Sequence, residues 1–361
     1  MIENRPTKSN DSQRFDWMDR LRGIAIIGIV IHHWLLFMPY ENSKLATLIH
    51  TIAGTFVHLF FILSGCGLTI SYFQKGNLSW RDWAGRRFVR LVVPYWIIIT
   101  VTFILVNLAH FTIPAFITKS YSWGVILAYL AFWRNFYGPA WQLNPTFWFM
   151  PVILGLYILF PILVKILKKY GGIILLVITA LITYLSIYLF FGLSTNHQSS
   201  ISLFHLAEFS LGMTLGYWQL FYPAFLDRLK DFIFFCLGFL FYTIAWAMVT
   251  FWQYGSSYDD LFTAAGVFLI TLYACRWITT ISPRISVKFL SHFSKQSYII
   301  YLIHGPLILY LAKPIFIKAL GLEMNSLIMI IFSPVFCLIV FLVAKLISPP
   351  INSLTSHLPK D

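Results

Sequence analysis

The chain has 361 residues, of which 59% are hydrophobic and 11% are charged, and its mean hydropathy is +0.76. Soluble domains contain about 45–50% apolar and about 25% charged residues. The composition therefore excludes an ordinary soluble domain and indicates a polytopic integral membrane protein. Little polar sequence lies outside the apolar runs, which leaves room for one membrane domain.

Ten apolar segments are long enough to cross a bilayer. They are 22–40, 50–72, 89–109, 146–166, 172–192, 201–220, 231–252, 260–280, 289–311 and 325–347. With a cytoplasmic N-terminus, all but five of the 26 Lys and Arg residues face the cytoplasm, as the positive-inside rule requires. The five exceptions are Lys44, Lys119, Arg134, Lys313 and Lys318. Both termini are then predicted in the cytoplasm, and the net charge of +13 needs no nucleic-acid partner.

The segment YSWGVILAYLAFW, residues 121–133, is apolar but shorter than the roughly 20 residues that a crossing helix needs. We expect it to be a re-entrant or interfacial helix within an external excursion over 110–145, with a full crossing as the alternative. The predicted fold is therefore an all-α polytopic membrane protein with about ten transmembrane helices plus this one.

The predicted organisation has three parts. We expect Pro349 and Pro350 to end the last helix, because proline cannot donate a helical hydrogen bond. The parts are a cytoplasmic N-terminal segment 1–21, a transmembrane domain 22–348 and a cytoplasmic tail 349–361.

The first span, DRLRGIAIIGIVIHHW, carries two histidines in an apolar run. Ionisable residues inside a span are costly and are functional candidates by default. Arg22 and His33 are 11 residues apart, so they lie within ~20° of one helix face and ~16 Å apart along the axis. His32 points ~80° away, and we expect it to contact a neighbouring helix. Asp19 can pair with Arg22 at i,i+3 or contact a ligand, with a solvated helix start as the alternative.

Further ionisable residues lie within other predicted spans. His58 has nearly the depth of His33, and His205 and Glu208 are neighbours at i,i+3 in the sixth span. Glu208 is the only acidic residue deep in any predicted span. We expect it to pair with a histidine or with Arg134, or to stay protonated, in an outward-facing acceptor site. His304 lies toward the outer leaflet of the ninth span.

The most basic stretch is residues 79–96, which contains Arg81, Arg86, Arg87 and Arg90. Arg87 and Arg90 are one helical turn apart, a spacing that suits a phosphorylated cytosolic ligand because guanidinium groups bind phosphate in a fork. The alternative is a role in topology and in contacts with lipid headgroups.

Small residues in FFILSGCGL favour close helix packing at Gly65 and Gly67, with the floor of a narrow tunnel as the alternative. The four cysteines show no CxxC or metal-ligand spacing, so we expect small core residues and no metal site. They are Cys66, Cys236, Cys275 and Cys337.

Taken together, these stretches resemble the acyltransferase-3 family of membrane acyltransferases over most of the chain. The resemblance is carried by MDRLRGIAIIGIVIHH with its R-x10-H spacing, FFILSG, RRFVRLVVPYW with its R-x-x-R, and SKQSYIIYLIHGPL. The segment FWFMPVILGLYILFPIL, 147–163, also looks like the mid-chain segment of the family. It lacks the acidic patch of some members, so acceptor handling can differ here.

Members of that family use acyl-CoA, mostly acetyl-CoA, from the cytoplasm and acylate sugars or lipids at the cell surface. The resemblance therefore implies a membrane O-acyltransferase, with acetyl as the expected group, in a bacterial plasma membrane. Its acceptor would be a cell-surface glycan or a lipid-linked sugar. Some members carry a fused SGNH-type esterase domain. The sequence to Asp361 contains none, so we expect the membrane domain itself to complete the transfer.

The candidate residues can be placed in that reaction. Arg22, Arg87 and Arg90 would hold the diphosphate of acyl-CoA, and Asp19 would orient Arg22. His33 would be the general base for the acceptor hydroxyl, or would accept the acyl group itself. The acceptor side would be lined by His58, His205, Glu208 and His304.

A transporter or exporter of a glycan or small metabolite is the alternative, since broken helices and a charged midplane site are also transporter features. The sequence shows no inverted repeat and no matching pair of broken spans, which favours the enzyme. The expected partners are acyl-CoA, the carbohydrate acceptor and membrane lipids, without nucleic acid or metal.

Overall fold

The computed structural model describes residues 16–38, 43–74, 80–190, 201–224, 232–252, 258–319 and 325–355. Within these ranges the regular structure is helical. The α-helices are α1 Asp16–Phe37, α2 Lys44–Gly54, α3 Val57–Gln74, α4 Trp80–Thr112, α5 Trp123–Leu130, α6 Phe149–Phe190, α7 Leu206–Phe221, α8 Phe232–Trp252, α9 Asp260–Ile281, α10 Pro283–Leu307 and α11 Ser326–Thr355. The predicted all-α fold is confirmed.

Eight stretches of the described helices are long and apolar enough to cross a membrane. They are Asp16–Phe37, Lys44–Gln74, Arg87–Thr112, Pro145–Phe190, Phe232–Phe251, Asp260–Ile281, Val287–Ile317 and Ser326–Ile351. Eight such stretches are found where the sequence predicted ten spans, for two reasons. Helix α6 covers two of them in 42 residues, and α7 has only 16 residues. The number of crossings and the side of the termini stay predictions.

Helix α6 contains a break at Gly171. This residue has φ 83° and ψ 173°, a backbone conformation that is nearly restricted to glycine. The break lies between the predicted spans 146–166 and 172–192. Two helical segments therefore meet at Gly171, where a residue with a Cβ would be strained.

The first helix begins earlier than the predicted span. Helix α1 starts at Asp16, so Asp19 and Arg22 lie in its first two turns instead of in a leading segment. The reason is that Trp17 and Met18, which precede the charged residues, are already buried and extend the apolar face of the helix toward the N-terminus.

The last helix does not end at its proline pair, and that prediction was wrong. Helix α11 continues through Pro349 and Pro350 to Thr355. The fixed φ of proline is compatible with a helix, and only two backbone hydrogen bonds are lost. The Ser348 hydroxyl donates to the carbonyl of Ala344 at 2.7 Å, and Ile351 is buried beyond the prolines. Packing therefore keeps the last turn helical.

The apolar segment 121–133, which is too short for a predicted span, contains a short helix. Helix α5 has eight residues and a length of ~12 Å, which is too short to cross a bilayer. Three 3₁₀ turns follow it, at Arg134–Phe136, Gly138–Gln142 and Pro145–Trp148. An eleventh full crossing is not supported, and the interfacial placement of α5 stays a prediction.

The chain forms two compact units. The first comprises 1–25, 55–77 and 152–294, and the second comprises 26–54, 78–151 and 295–361. Helices α1, α6 and α10 each contribute residues to both units. The first unit contains α3, α7, α8 and α9, whereas the second contains α2, α4, α5 and α11.

Close packing of α3 against α7 organises the first unit. Gly65 on α3 faces the carbonyl of Phe209, and Gly212 on α7 faces the carbonyl of Ile62. A Cβ at either glycine would overlap that carbonyl oxygen. The role predicted for Gly65 in close helix approach is therefore confirmed.

Contacts among α1, α4, α10 and α11 tie the second unit together. The Trp34 indole donates to the carbonyl of Met329 at 3.0 Å and stacks on Phe336 with ring centroids 4.4 Å apart. The Tyr298 hydroxyl donates to the carbonyl of Leu91. These contacts fix α1 and α10 relative to their neighbours within the unit.

We predict that Gly212→Ala lowers the melting temperature of the detergent-solubilised protein, because the new methyl group overlaps the carbonyl of Ile62. The expected loss in the free energy of unfolding is about 1–3 kcal/mol. Gly85→Ala is the matched control. Gly85 lies on α4, and no neighbouring atom comes within 4 Å of the position that a Cβ would take, so alanine there should be neutral or stabilise by up to about 1 kcal/mol. Equal melting temperatures for the two variants would contradict the packing argument.

Candidate functional site

Helices α1 and α10 bring two histidines together in the second unit. Nδ1 of His33 lies 3.1 Å from Nε2 of His304, and their ring centroids are 4.9 Å apart. His33 is 9% exposed and His304 is fully buried. The sequence assigned His304 to the acceptor side, but its direct contact is with His33.

The surroundings of the pair fix its tautomers. Nδ1 of His304 lies 2.7 Å from the carbonyl of Tyr301 and 3.1 Å from that of Ile300, so it carries the proton and donates. Nε2 of His304 is then an acceptor for the Nδ1–H of His33, which also faces the carbonyl of Ile29 at 3.0 Å. Neutral His33 therefore keeps its lone pair on Nε2, and no described residue forms a hydrogen bond to that nitrogen. A positioned basic nitrogen of this kind suits a general base or a nucleophile.

The other histidine of the first span has a different environment. Nδ1 of His32 lies 2.9 Å from the carbonyl of His50, and the two rings stack with centroids 4.3 Å apart. Gly54 on α2 gives the His32 ring its space, since a Cβ there would lie 2.7 Å from Nδ1. These contacts are those of a packing residue that holds α1 against α2.

A polar cluster lies beside the helical turn that follows His304. We call it the cap, and it contains Asn144, Thr146 and Arg134. The Asn144 side chain accepts from the Thr146 N–H at 3.1 Å and from its hydroxyl at 2.8 Å. A Cβ on Gly305 would lie 2.8 Å from both Oδ1 of Asn144 and Oγ1 of Thr146. The Tyr301 hydroxyl donates to the carbonyl of Thr146 at 3.1 Å. Asn144 and Thr146 thus contact the residue next to His304.

Arg134 lies fully buried in the same cap. It donates to Oδ1 of Asn135 at 2.8 Å and to the carbonyls of Asn144 and Pro145 at 3.2 and 3.3 Å. Its guanidinium lies over the Trp141 ring, 4.1 Å from the centroid, in a cation–π contact. From the sequence, Arg134 is predicted outside the cytoplasm, and a pairing with Glu208 is the role expected of it. Its position against the positive-inside bias was the available signal.

Tyr129 on α5 forms hydrogen bonds with the backbone of the cap. Burial raises the pKa of its phenol, so the hydroxyl stays protonated. It donates to the carbonyl of Ala140 at 2.7 Å and accepts from the Asn144 N–H at 2.9 Å. The Tyr129 hydroxyl therefore links the backbone of Ala140 to that of Asn144.

An apolar cavity of about 350 Å³ opens in the second unit beside the π-helical turn that follows α10. A cavity of this size and lining is able to take an alkyl or prenyl chain. It is lined by Thr102, Leu105, Val106, Ala109, Ile113, Phe116, Ile117, Pro306, Leu307, Tyr310, Leu311, Pro314 and Ile315.

The first unit holds a second cluster of buried ionisable side chains. Glu208 receives a hydrogen bond on each carboxylate oxygen, from Nδ1 of His58 at 2.9 Å and from Nδ1 of His205 at 2.8 Å. Nε2 of His58 lies 3.9 Å from Asp260, and the His205 ring stacks on Phe61 with centroids 4.3 Å apart. Of the partners predicted for Glu208, the histidines are the ones it contacts.

This cluster has the composition of a metal site. His58, His205 and Glu208 each offer a ligand atom, and these atoms lie within 4.8 Å of one another. Two imidazoles and a carboxylate are a donor set that Zn²⁺ accepts. Both carboxylate oxygens already accept from an imidazole N–H, however, so the three groups satisfy one another without an ion. The expectation of no metal stays a prediction.

Asp19 and Arg22 pair in the first unit, as their spacing predicts. Nη1 of Arg22 lies 3.2 Å from Oδ1 of Asp19, which also accepts from the Ser294 hydroxyl at 3.1 Å. A Cβ on Gly67 would lie 3.9 Å from Nη2 of Arg22. Asp19 thus links Arg22 to α10, and the guanidinium lies beside the glycine of α3.

Arg87 and Arg90 both lie on α4, one turn apart. Arg87 is half-buried and Arg90 is exposed. The side chains of Arg81 and Arg86 lie outside the described part of the structure. The R-x-x-R pair is therefore helical, as the sequence predicts, and its ligand stays a prediction.

Comparison with known proteins identifies a family. The model of the acyltransferase-3 family, described as an acyltransferase domain, matches residues 15–347. No curated protein and no solved structure is similar enough to this chain to count as a match.

We predict that His33 is the Nδ1–H tautomer and that His304 holds it there. The ¹⁵N NMR spectrum of histidine-labelled protein, assigned through the loss of a signal in His33→Asn, should show a proton on Nδ1 and none on Nε2. In His304→Ala the His33 signals should shift toward a mixture of tautomers, because the acceptor for Nδ1–H is lost. His292→Ala, which removes an exposed histidine, is the control and should leave the His33 signals in place. An unchanged His33 tautomer in His304→Ala would contradict the assignment.

Proposed function

The chain belongs to the acyltransferase-3 family, and we propose that it moves an acyl group from cytoplasmic acyl-CoA to a hydroxyl of a cell-surface or lipid-linked carbohydrate. Acetyl is the group that we expect it to transfer. It is an integral membrane O-acyltransferase, with an acyl donor and an acceptor as substrates. The observation that carries the finer proposal is the contact between His33 and His304. It supports His33 as the chemical centre. We propose a bacterial plasma membrane as the location of the enzyme.

Two routes use the same nitrogen. In the first, Nε2 of His33 takes the proton of the acceptor hydroxyl while the hydroxyl oxygen attacks the thioester carbonyl carbon. The carbon–sulfur bond then breaks, and the imidazolium returns the proton to the CoA thiolate. In the second, Nε2 attacks the carbonyl, CoA leaves as the thiolate, and the acceptor hydroxyl takes the acyl group from the imidazole while its proton ends on the thiolate. Both routes regenerate neutral His33.

His304 acts in this proposal as a positioning residue. Its Nε2 accepts from Nδ1–H of His33, which keeps the reactive lone pair on the opposite nitrogen and stabilises the imidazolium as it forms. The orienting carboxylate of a serine protease triad has the same task. The backbone carbonyls of Ile300 and Tyr301 hold His304 in turn.

The donor would be held by arginines. Arg87 and Arg90 are one turn apart on α4 and suit the phosphates of acyl-CoA. Arg22 is a further candidate, because its guanidinium donates to Asp19, which also accepts from the Ser294 hydroxyl. Asp19 is then a positioning residue for Arg22.

The histidine–glutamate cluster of the first unit is our candidate for acceptor binding. Both oxygens of Glu208 are occupied by His58 and His205, so the carboxylate would act by orienting the two imidazoles. The two oriented imidazoles would then contact sugar hydroxyl groups. The apolar cavity lined in part by Pro306 and Tyr310 supports an acceptor that carries a lipid chain.

We predict that His33→Ala reduces acetyl transfer by ~10²-fold or more, because a positioned base is lost. Expression and acetyl-CoA binding should persist in this variant. His32→Ala is the neighbouring control and should be far milder, since His32 packs against His50. The measurement is acetate released by mild alkali from the surface glycan of cells that express each variant. Equal, small losses in both variants would remove His33 from the mechanism.

We also predict that Arg87→Ala and Arg90→Ala weaken acetyl-CoA binding in a salt-sensitive manner, because a phosphate contact is lost. Arg→Lys at either position should restore binding only in part, since an ammonium group cannot form a bidentate fork. Titration of purified protein with acetyl-CoA at two ionic strengths gives the dissociation constants. Alanine variants that bind like the parent would leave these arginines as topology determinants.

A further inference from the structure

Two buried N–H groups in the cap beside His304 have no hydrogen-bond partner among the described residues. They are Nε of Arg134 and Nδ2 of Asn144, and both residues are fully buried. A buried donor without an acceptor costs about 1–3 kcal/mol, and more when it is charged. Unsatisfied donors of this kind are rare in folded proteins and need a reason.

The orientation of the Asn144 amide is fixed by its neighbours. Its Oδ1 accepts from the backbone N–H of Thr146 at 3.1 Å, and a backbone N–H can only donate. Rotating the amide would place two donors against each other. The NH₂ group is therefore the end that lacks a partner.

The charge of Arg134 is also left without a counter-ion. Its acceptors are the amide oxygen of Asn135 and the carbonyls of Asn144 and Pro145, all of which are neutral. In the part of the chain that the structure describes, no carboxylate forms an ion pair with it. A fully buried cation usually has an anionic partner, because the desolvation of an isolated charge is expensive.

The residues that carry the two donors contact each other and lie beside His304. Nη2 of Arg134 donates to the carbonyl of Asn144 at 3.2 Å. The Asn144 amide lies against Gly305, where a Cβ would be 2.8 Å from Oδ1. Gly305 directly follows His304, the partner of His33.

We propose that Arg134 and Asn144 form a binding site for an anionic oxygen group that takes part in the acyl transfer. This inference rests on the proposed function and adds a second, recognising element to it. One oxygen of the ligand accepts from Nε–H of Arg134 and from the Asn144 amide, and its negative charge compensates the guanidinium. The chemistry has two sources, an acidic group of the acceptor (a phosphate or a carboxylate) or the oxyanion that forms at the acyl carbon during transfer.

Asn144→Asp is the decisive variant. Aspartate keeps the oxygen that caps Thr146, and it is as good a cap as asparagine, so the turn is retained. The NH₂ donor becomes a second carboxylate oxygen, which repels an anion and pairs with Arg134 instead. We expect a melting temperature equal to or above that of the parent, together with at least a roughly 100-fold loss of acetyl transfer to the surface glycan.

Asn107→Asp is the matched control. Asn107 lies on α4, and its amide is paired at both ends with Tyr121, accepting from the backbone N–H at 2.7 Å and donating to the carbonyl at 3.2 Å. The same substitution there should keep transfer within about threefold of the parent. Equal transfer by Asn144→Asp and Asn107→Asp would overturn the proposal.

A second assay separates the two sources of the anion. Hydrolysis of acetyl-CoA by the purified full-length protein reports the donor half of the reaction. If the ligand is an acidic group of the acceptor, Asn144→Asp loses transfer and keeps hydrolysis. If it is the reaction oxyanion, hydrolysis falls together with transfer. Either result supports the anion site.

Phosphate binding tests the site without any activity. Inorganic phosphate should raise the melting temperature of the parent above that in chloride at equal ionic strength, and the shift should vanish in Asn144→Asp but persist in Asn107→Asp. If Asn144→Asp does not fold, the absence of a phosphate shift in the parent would overturn the proposal. A parent that responds to phosphate but neither binds acetyl-CoA nor acetylates glycan would refute the proposed function and leave the anion site standing.

Discussion

A polar side chain inside a bilayer has no water to bind, so its hydrogen bonds must be completed by the protein or by a ligand. This constraint decides how the buried ionisable groups of this chain can be interpreted. A group whose bonds are complete within the fold has a structural explanation already. A group with an open donor or acceptor indicates what is missing. The two histidine clusters and Arg134 differ in this respect.

The two histidine clusters illustrate the division. In the first unit Glu208 is bonded on both oxygens by His58 and His205, so the hydrogen bonds of its carboxylate are complete. In the second unit His33 and His304 use three of their four ring nitrogens on each other and on backbone carbonyls. One basic nitrogen is left over. Chemistry that needs a base or a nucleophile is therefore better served by the second arrangement, and substrate positioning by the first.

Much of this could be predicted from the sequence, because helical periodicity and membrane energetics are local properties. The face shared by Arg22 and His33 picked one histidine of two, and the structure places His32 against the backbone of His50 instead. The pairing of Asp19 with Arg22 followed from i,i+3 spacing. The contact between His33 and His304 did not, since it joins residues 271 positions apart and depends on how α10 packs. The helical turn beyond Pro349 was missed for a similar reason, because packing of Ile351 outweighs the local preference of proline.

Arg134 shows what the pattern of charges could and could not reveal. The positive-inside rule marked it as one of few cations away from the cytoplasm, but the rule describes topology and says nothing of burial. Its complete burial follows from the 3₁₀ turns after α5, which wrap Trp141 and the backbone of Asn144 around the guanidinium. Three neutral oxygens are enough to orient such a group but not to balance its charge. His33 keeps an open acceptor and Arg134 keeps an open donor within the same unit, so a reaction partner that supplies both a proton and an anionic oxygen would complete the two together.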